Sequence, residues 1–270
     1  MEMNIHGLRY RVQVKGRGTA ILLLHGFTGS GDNWDSLVPY FTPHFRTIQV
    51  DLLGHGRTES PGDSKRYTVE HAVADLAAIL DELGEERVHL LGYSMGGRLA
   101  LSFAMINPDR VGRLILESSS PGLKTKEERN ERIARDQALA DQIETEGMAP
   151  FVERWENLPL FASQQRLPEK IREAIHNQRL ENDPKGLANS LRGMGTGKQP
   201  SWWESLPQFN IPIMLLVGEL DTKFQGIARE MMKWLPKGRM ETIPGAGHTI
   251  HVEEPQHFGT IVMDFLQEEV

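Results

Sequence analysis

Val88-His89-Leu90-Leu91-Gly92-Tyr93-Ser94-Met95-Gly96-Gly97-Arg98 is the stretch whose reading decides the fold. A short apolar run of the kind that forms a buried strand leads into Gly-x-Ser-x-Gly, and a helical pattern that stops before Pro108 follows it. A turn this sharp forces its serine into a strained backbone conformation at the carboxyl edge of a sheet. Gly92 and Gly96 leave room for the chain to pass.

Outward from this turn, similar apolar runs lie at Ala20–Leu24, Arg46–Val50, 114–116, 213–217 and 240–243. Amphipathic helical segments separate them, such as 67–83, with Val69, Val73, Leu76, Ala77 and Leu80 on one face, and 96–106. The alternation predicts an α/β fold: a mostly parallel twisted sheet flanked by helices. It stops after Glu117-Ser118-Ser119-Ser120-Pro121-Gly122 and resumes at Ile211-Pro212-Ile213. The polar, helix-rich stretch between, with Trp155, Trp202 and Trp203, reads as a helical cap over 121–206. The core is then 1–120 plus 207–270. Trp202 and Trp203 suit the interior of that cap.

Composition narrows the function. With 30 Lys and Arg against 37 Asp and Glu, the chain has a net charge of -7 and no general basic field to hold nucleic acid. The absence of cysteine excludes disulfides, thiolate nucleophiles and Cys-ligated zinc. The first residues lack the basic start and apolar run of a signal peptide, and no apolar run is long enough to span a bilayer. The expectation is a cytoplasmic enzyme, without membrane attachment, that is a monomer or a weak homo-oligomer. No ligand cluster of the H-x-x-E-H kind is present, so no metal site is expected.

A serine hydroxyl reacts poorly unless an imidazole takes its proton and an acid orients that imidazole. His248, in the glycine-rich loop Gly245-Ala246-Gly247-His248, is the expected imidazole, with His251 and His257 as competitors. Asp221, in Gly218-Glu219-Leu220-Asp221 after the run at 213–217, is the expected acid, with Glu219 and Glu117 as rivals. Charge developing on a substrate oxygen needs two backbone N–H groups. Met95, which follows the serine, and Phe27, in the loop after Ala20–Leu24, are the candidates. The loop 51–60 reads as a tight turn set by its glycines, and its His55 is not read as a metal ligand.

His25-Gly26-Phe27, Asp51-x-x-Gly54-His55-Gly56, Gly92-Tyr93-Ser94-Met95-Gly96-Gly97 and Gly247-His248 together resemble the α/β-hydrolase superfamily over nearly the whole chain. Within it the chain is similar to the 2-succinyl-6-hydroxy-2,4-cyclohexadiene-1-carboxylate synthases of menaquinone biosynthesis. That likeness is carried by Gly92 to Arg98, Ser120-Pro121-Gly122-Leu123, Trp155 with Pro159-x-Phe161-Ala162-Ser163, and Gly218-Glu219-x-Asp221-x-Lys223-Phe224. The resemblance implies a lyase that acts on a small tricarboxylate by eliminating pyruvate, with Ser94 as base. By the same resemblance Arg98, Arg132 and Arg179 take carboxylates, and Tyr93, Trp155 and Phe161 form the walls. Arg98 also stands out unaided, four residues and one helical turn after Ser94. Lys223 reads as structural or peripheral. A serine hydrolase of esters, lactones or vinylogous C–C bonds, and a non-catalytic binding protein of the same fold, remain open at this point.

Overall fold

The computed structural model describes residues 1–268. Eight strands form one sheet in the order β1-β2-β4-β3-β5-β6-β7-β8. They are β1 (Glu2–Ile5), β2 (Leu8–Gly16), β3 (Ala20–Leu24), β4 (Arg46–Val50), β5 (Val88–Tyr93), β6 (Val111–Glu117), β7 (Ile213–Gly218) and β8 (Gly238–Ile243). All pairs from β4 to β8 are parallel, and β1 and β2 add an antiparallel edge.

The central strands read as unbroken apolar runs because both faces of a parallel sheet are covered. In β3, Ala20, Leu22 and Leu24 point into one core cluster, while Ile21 and Leu23 point into the other. Against the first face pack α2 (Val69–Glu82) and α3 (Met95–Ile106), through Leu76, Ile79, Leu99 and Phe103; against the second pack α1 (Val38–Phe41) and the helix that closes the chain. Full burial of each such leucine or isoleucine stabilises the fold by about 1.5–3 kcal/mol. The edge pair β1–β2 has no apolar run: Tyr10 and Val12 face the core, while Arg9, Arg11 and Gln13 alternate outward. The segment predicted helical from 67 starts at Val69, because Thr68 caps it by accepting the His71 N–H and Ser64–Tyr67 forms a separate 3-10 turn.

Between β6 and β7 run α4 (Lys126–Glu146), α5 (Met148–Glu156), α6 (Glu169–Leu180) and α7 (Pro184–Met194). They enclose a third, small apolar cluster around Ile143, Phe151, Val152 and Leu187. A capping box starts α4: Thr125 Oγ1 accepts from the Glu128 amide, and the Glu128 carboxylate accepts from the Thr125 amide. Trp202 and Trp203 pack on the main core rather than inside the cap cluster. The Trp202 indole donates to Ser102 Oγ on α3 at 3.0 Å, and the Trp203 indole to the Gly122 carbonyl at 2.9 Å. After β7 come α8 (Thr222–Met232), β8, α9 (Ile250–Glu253) and α10 (Pro255–Gln267).

Candidate active site

Ser94 sits between β5 and α3 with φ 50° and ψ -106°, a region non-glycine residues avoid. Holding it there costs about 1–3 kcal/mol, supplied by the surrounding packing. Its N–H donates to the Glu117 carbonyl on β6 at 2.9 Å, and its carbonyl accepts from the Arg98 amide and from Ser119 Oγ at 3.0 Å. The glycines allow the close approach. A β-carbon on Gly96 would lie 2.2 Å from the Leu24 carbonyl oxygen, and one on Gly92 would lie 2.4 Å from that of Gly96.

His248 Nε2 lies 3.2 Å from Ser94 Oγ, and its Nδ1 lies 2.6 Å from Asp221 Oδ2. A carboxylate at Nδ1 keeps the proton there and leaves the Nε2 lone pair for the serine O–H. Asp221 is fixed in turn, because its Oδ1 accepts the Phe224 amide at 3.2 Å as the N-cap of α8. The loops after β7 and β8 are pressed together, with the Leu220 N–H donating to the Ala246 carbonyl at 2.9 Å. The His248 ring is buried, with the rings of Phe224 at 4.7 Å and Tyr93 at 5.4 Å. The rivals are committed elsewhere. Glu117 is bonded to His251, Glu219 accepts from the Gly245 amide, and His257 is an exposed residue of α10.

Phe27 and Met95 both face the same cavity as Ser94. Among the described residues neither amide donates to a protein acceptor. His25 sets the loop that carries Phe27: its Nε2 accepts the Leu52 N–H at 3.0 Å, so its Nδ1–H donates to the Gly26 carbonyl at 2.8 Å. Burial pulls the His25 pKa down to about 4 and that of His55 down to about 3, so both rings are neutral packing elements. His55 meets Phe27 edge-on at 5.7 Å.

The cavity measures about 500 Å³, with Ser94 and His248 in its wall. Trp155 and Phe161 line it from the cap, their rings 5.8 Å apart, and Trp155 meets Phe27 at 5.4 Å. Tyr93 lines it too, but its hydroxyl is hydrogen-bonded to Thr249 Oγ1 at 2.9 Å. Arg98 reaches the wall from one turn along α3 and donates to the Met194 carbonyl at 3.1 Å and to Gln199 Oε1 at 2.8 Å. No carboxylate pairs with it among the described residues; burial, with Arg132 nearby, draws its pKa down to about 10. Arg132 lines the cavity as well, with its Nε on Asp136 Oδ1 at 2.8 Å.

Two residues sit elsewhere than the sequence reading suggests. Arg179, expected to take a carboxylate, is not in the cavity wall: it is buried behind Phe161, 5.0 Å from that ring, and paired with Glu156 at 3.1 Å. Lys223, read as structural or peripheral, lines the cavity beside Phe224. Lys124 also lines it, over the Trp203 ring at 4.3 Å and paired with Glu230. Nothing in the sequence marked Lys124, because its acid partner is 106 positions away.

A family profile described as alpha/beta hydrolase fold matches residues 19–255, and the chain belongs to that family. It is 52% identical over 262 residues, 96% of this chain and 95% of the other, to a putative 2-succinyl-6-hydroxy-2,4-cyclohexadiene-1-carboxylate synthase of Bacillus subtilis (strain 168). It is 32% identical over 250 residues, 91% of this chain and 84% of the other, to the synthase of that name from Photorhabdus laumondii. Among solved structures, MenH from S. aureus superposes with a TM-score of 0.91 at 37% identity, covering 96% of this chain and 97% of that one.

Proposed function

We propose that this chain is a carbon–oxygen lyase that eliminates pyruvate from 2-succinyl-5-enolpyruvyl-6-hydroxy-3-cyclohexene-1-carboxylate, giving 2-succinyl-6-hydroxy-2,4-cyclohexadiene-1-carboxylate. The observation that carries the reading is Arg98, a cavity-wall guanidinium one helical turn from Ser94 with no carboxylate partner among the described residues. A buried cation whose hydrogen bonds go only to neutral acceptors, with Asp136 the nearby charge that favours it, suits an anionic ligand, and arginine binds a carboxylate in bidentate fashion. A neutral ester needs no such group. The names of the relatives agree with this substrate class.

In this mechanism His248 takes the Ser94 proton while Asp221 holds the tautomer, and Ser94 removes the ring proton next to the succinyl carbonyl. The released pair of electrons moves first onto the carbonyl oxygen, where the Phe27 and Met95 amides meet the charge. Collapse of this enolate shifts the ring double bond and breaks the C–O bond to the enolpyruvyl group, which leaves as the enolate of pyruvate and becomes pyruvate by taking up the proton held on His248, so that the neutral imidazole and the Ser94 hydroxyl are restored. Arg98 and Arg132 hold substrate carboxylates, while Trp155 and Phe161 keep water from the enolate. Protons and electrons balance without a redox partner.

The same serine, base and amides would also suit acyl transfer, in which Ser94 attacks an ester carbonyl. A coupled assay of pyruvate release from the enolpyruvyl substrate, run beside p-nitrophenyl acetate, separates the two. Pyruvate release far faster than ester cleavage is expected. Rapid ester cleavage without pyruvate would sink the lyase reading.

A further inference from the structure

Glu117 and His251 form a second buried acid–imidazole pair that the proposed mechanism does not use. Glu117 is 0% exposed and His251 1%. The Glu117 carboxylate accepts the backbone N–H of His251 at 3.1 Å, and His251 Nδ1 lies 2.9 and 2.8 Å from its two oxygens. The same residue's carbonyl accepts the Ser94 N–H at 2.9 Å. One residue therefore grips the elbow through its main chain and the segment carrying His248 through its side chain.

That segment is held at both ends, His248 by Asp221 and His251 by Glu117. Between them the Thr249 hydroxyl bonds to Tyr93 Oη and to the Gln164 amide, both at 2.9 Å. The His251 ring packs on Trp34 at 4.5 Å and on Tyr93 at 4.9 Å, and so clamps the residue before Ser94. For stability alone, an apolar pair of equal volume would serve as well as a buried ionisable one. What an apolar pair cannot supply is direction: two hydrogen bonds from one imidazole-bearing residue to one carboxylate.

We infer that Glu117 and His251 are positioning residues, which set the Ser94–His248 register by tying the base's loop to the strand that holds the elbow. The inference rests on the assignment of Ser94 and His248 as the working pair. It is tested by labelling Ser94 with a fluorophosphonate, in which Ser94 Oγ displaces fluoride from phosphorus and passes its proton to His248. This readout is independent of the natural substrate. Glu117→Gln, shown to be folded by circular dichroism, is expected to lose about tenfold in labelling rate and in kcat, with KM changed less than about twofold, as small misplacements of reacting groups do. His251→Asn, whose side-chain amide nitrogen stands where Nδ1 stands, is expected to stay within about threefold of wild type.

Wild-type labelling by folded Glu117→Gln overturns the inference, as does a loss in His251→Asn equal to that in Glu117→Gln. Where Glu117→Gln does not fold, His251→Asn is compared with His251→Leu at matched folded fractions, and equal rates overturn it. Failure of all three to fold counts against it too, since the pair then serves stability alone. A slowed label in Glu117→Gln, with no pyruvate from wild type, supports the positioning role and rejects only the substrate.

Discussion

A guanidinium drawn down to about 10 by burial, with only neutral acceptors in reach, gains more from an anion than an exposed arginine would. Arg98→Ala is therefore expected to raise KM for the tricarboxylate by about 10–100-fold while ester cleavage changes less than about twofold. Equal losses on both substrates would make Arg98 structural. Gly96→Ala has a different cause: its methyl would stand 2.2 Å from the Leu24 carbonyl oxygen and 2.5 Å from that of His25. Overpacking against backbone has no rotamer to relieve it, so a fall of about 1–3 kcal/mol in stability, read by urea unfolding, is expected together with loss of activity. Ser94, Asp221 and His248 could be picked out in the sequence because each lies in a short glycine-marked loop after an apolar run. The position of Arg179 could not, since its partner Glu156 lies on another cap helix and no local pattern links the two. Nor could the direction of the Tyr93 hydroxyl, which depends on Thr249, 156 positions on.

Strands β3, β5, β6 and β7 were readable because burial on both sides of a parallel sheet leaves a run of apolar letters, and β3 and β4 begin and end where the runs read from the sequence do, whereas the edge strand β8, with only Ile243 buried, starts two residues before its run. The hairpin β1–β2 was not. Its outward residues pair with charge from elsewhere, as Arg11 does with Asp32 at 2.7 Å and with Asp51 at 3.1 Å, so the segment looks polar in isolation. In the cap, α4 has little apolar surface of its own, with only Asp136, Ala140 and Ile143 buried, and depends on its start signal. Thr125→Ala is expected to cost about 1 kcal/mol by removing the acceptor for the Glu128 amide. In a chain of this size that is a drop of about 2–4 °C in Tm by calorimetry. Thr125→Ser should restore it, and an unchanged Tm in Thr125→Ala would show that the α4–α7 packing alone sets the helix start.

The whole molecule carries a pH dependence in its buried rings. In the folded state His25 stays neutral down to about pH 4 and His55 to about pH 3, whereas both protonate near 6.5 once unfolded. Above 6.5 neither state binds the proton, and stability is at its full value. As pH falls from 6.5 toward 4 the unfolded chain takes up protons that the folded one refuses, so stability falls by about 1.4 kcal/mol per pH unit for each ring. The urea midpoint is therefore expected to drop between about pH 7 and about pH 5. A flat midpoint across that interval would contradict the neutral assignment of both rings. The order of the elements has one more consequence. Ser94 and His248 are 154 positions apart, with the entire cap threaded between them. During synthesis the elbow and both backbone donors leave the ribosome long before the imidazole does. The pair on which the proposed mechanism rests therefore comes together only when the loops after β7 and β8 close over the finished sheet.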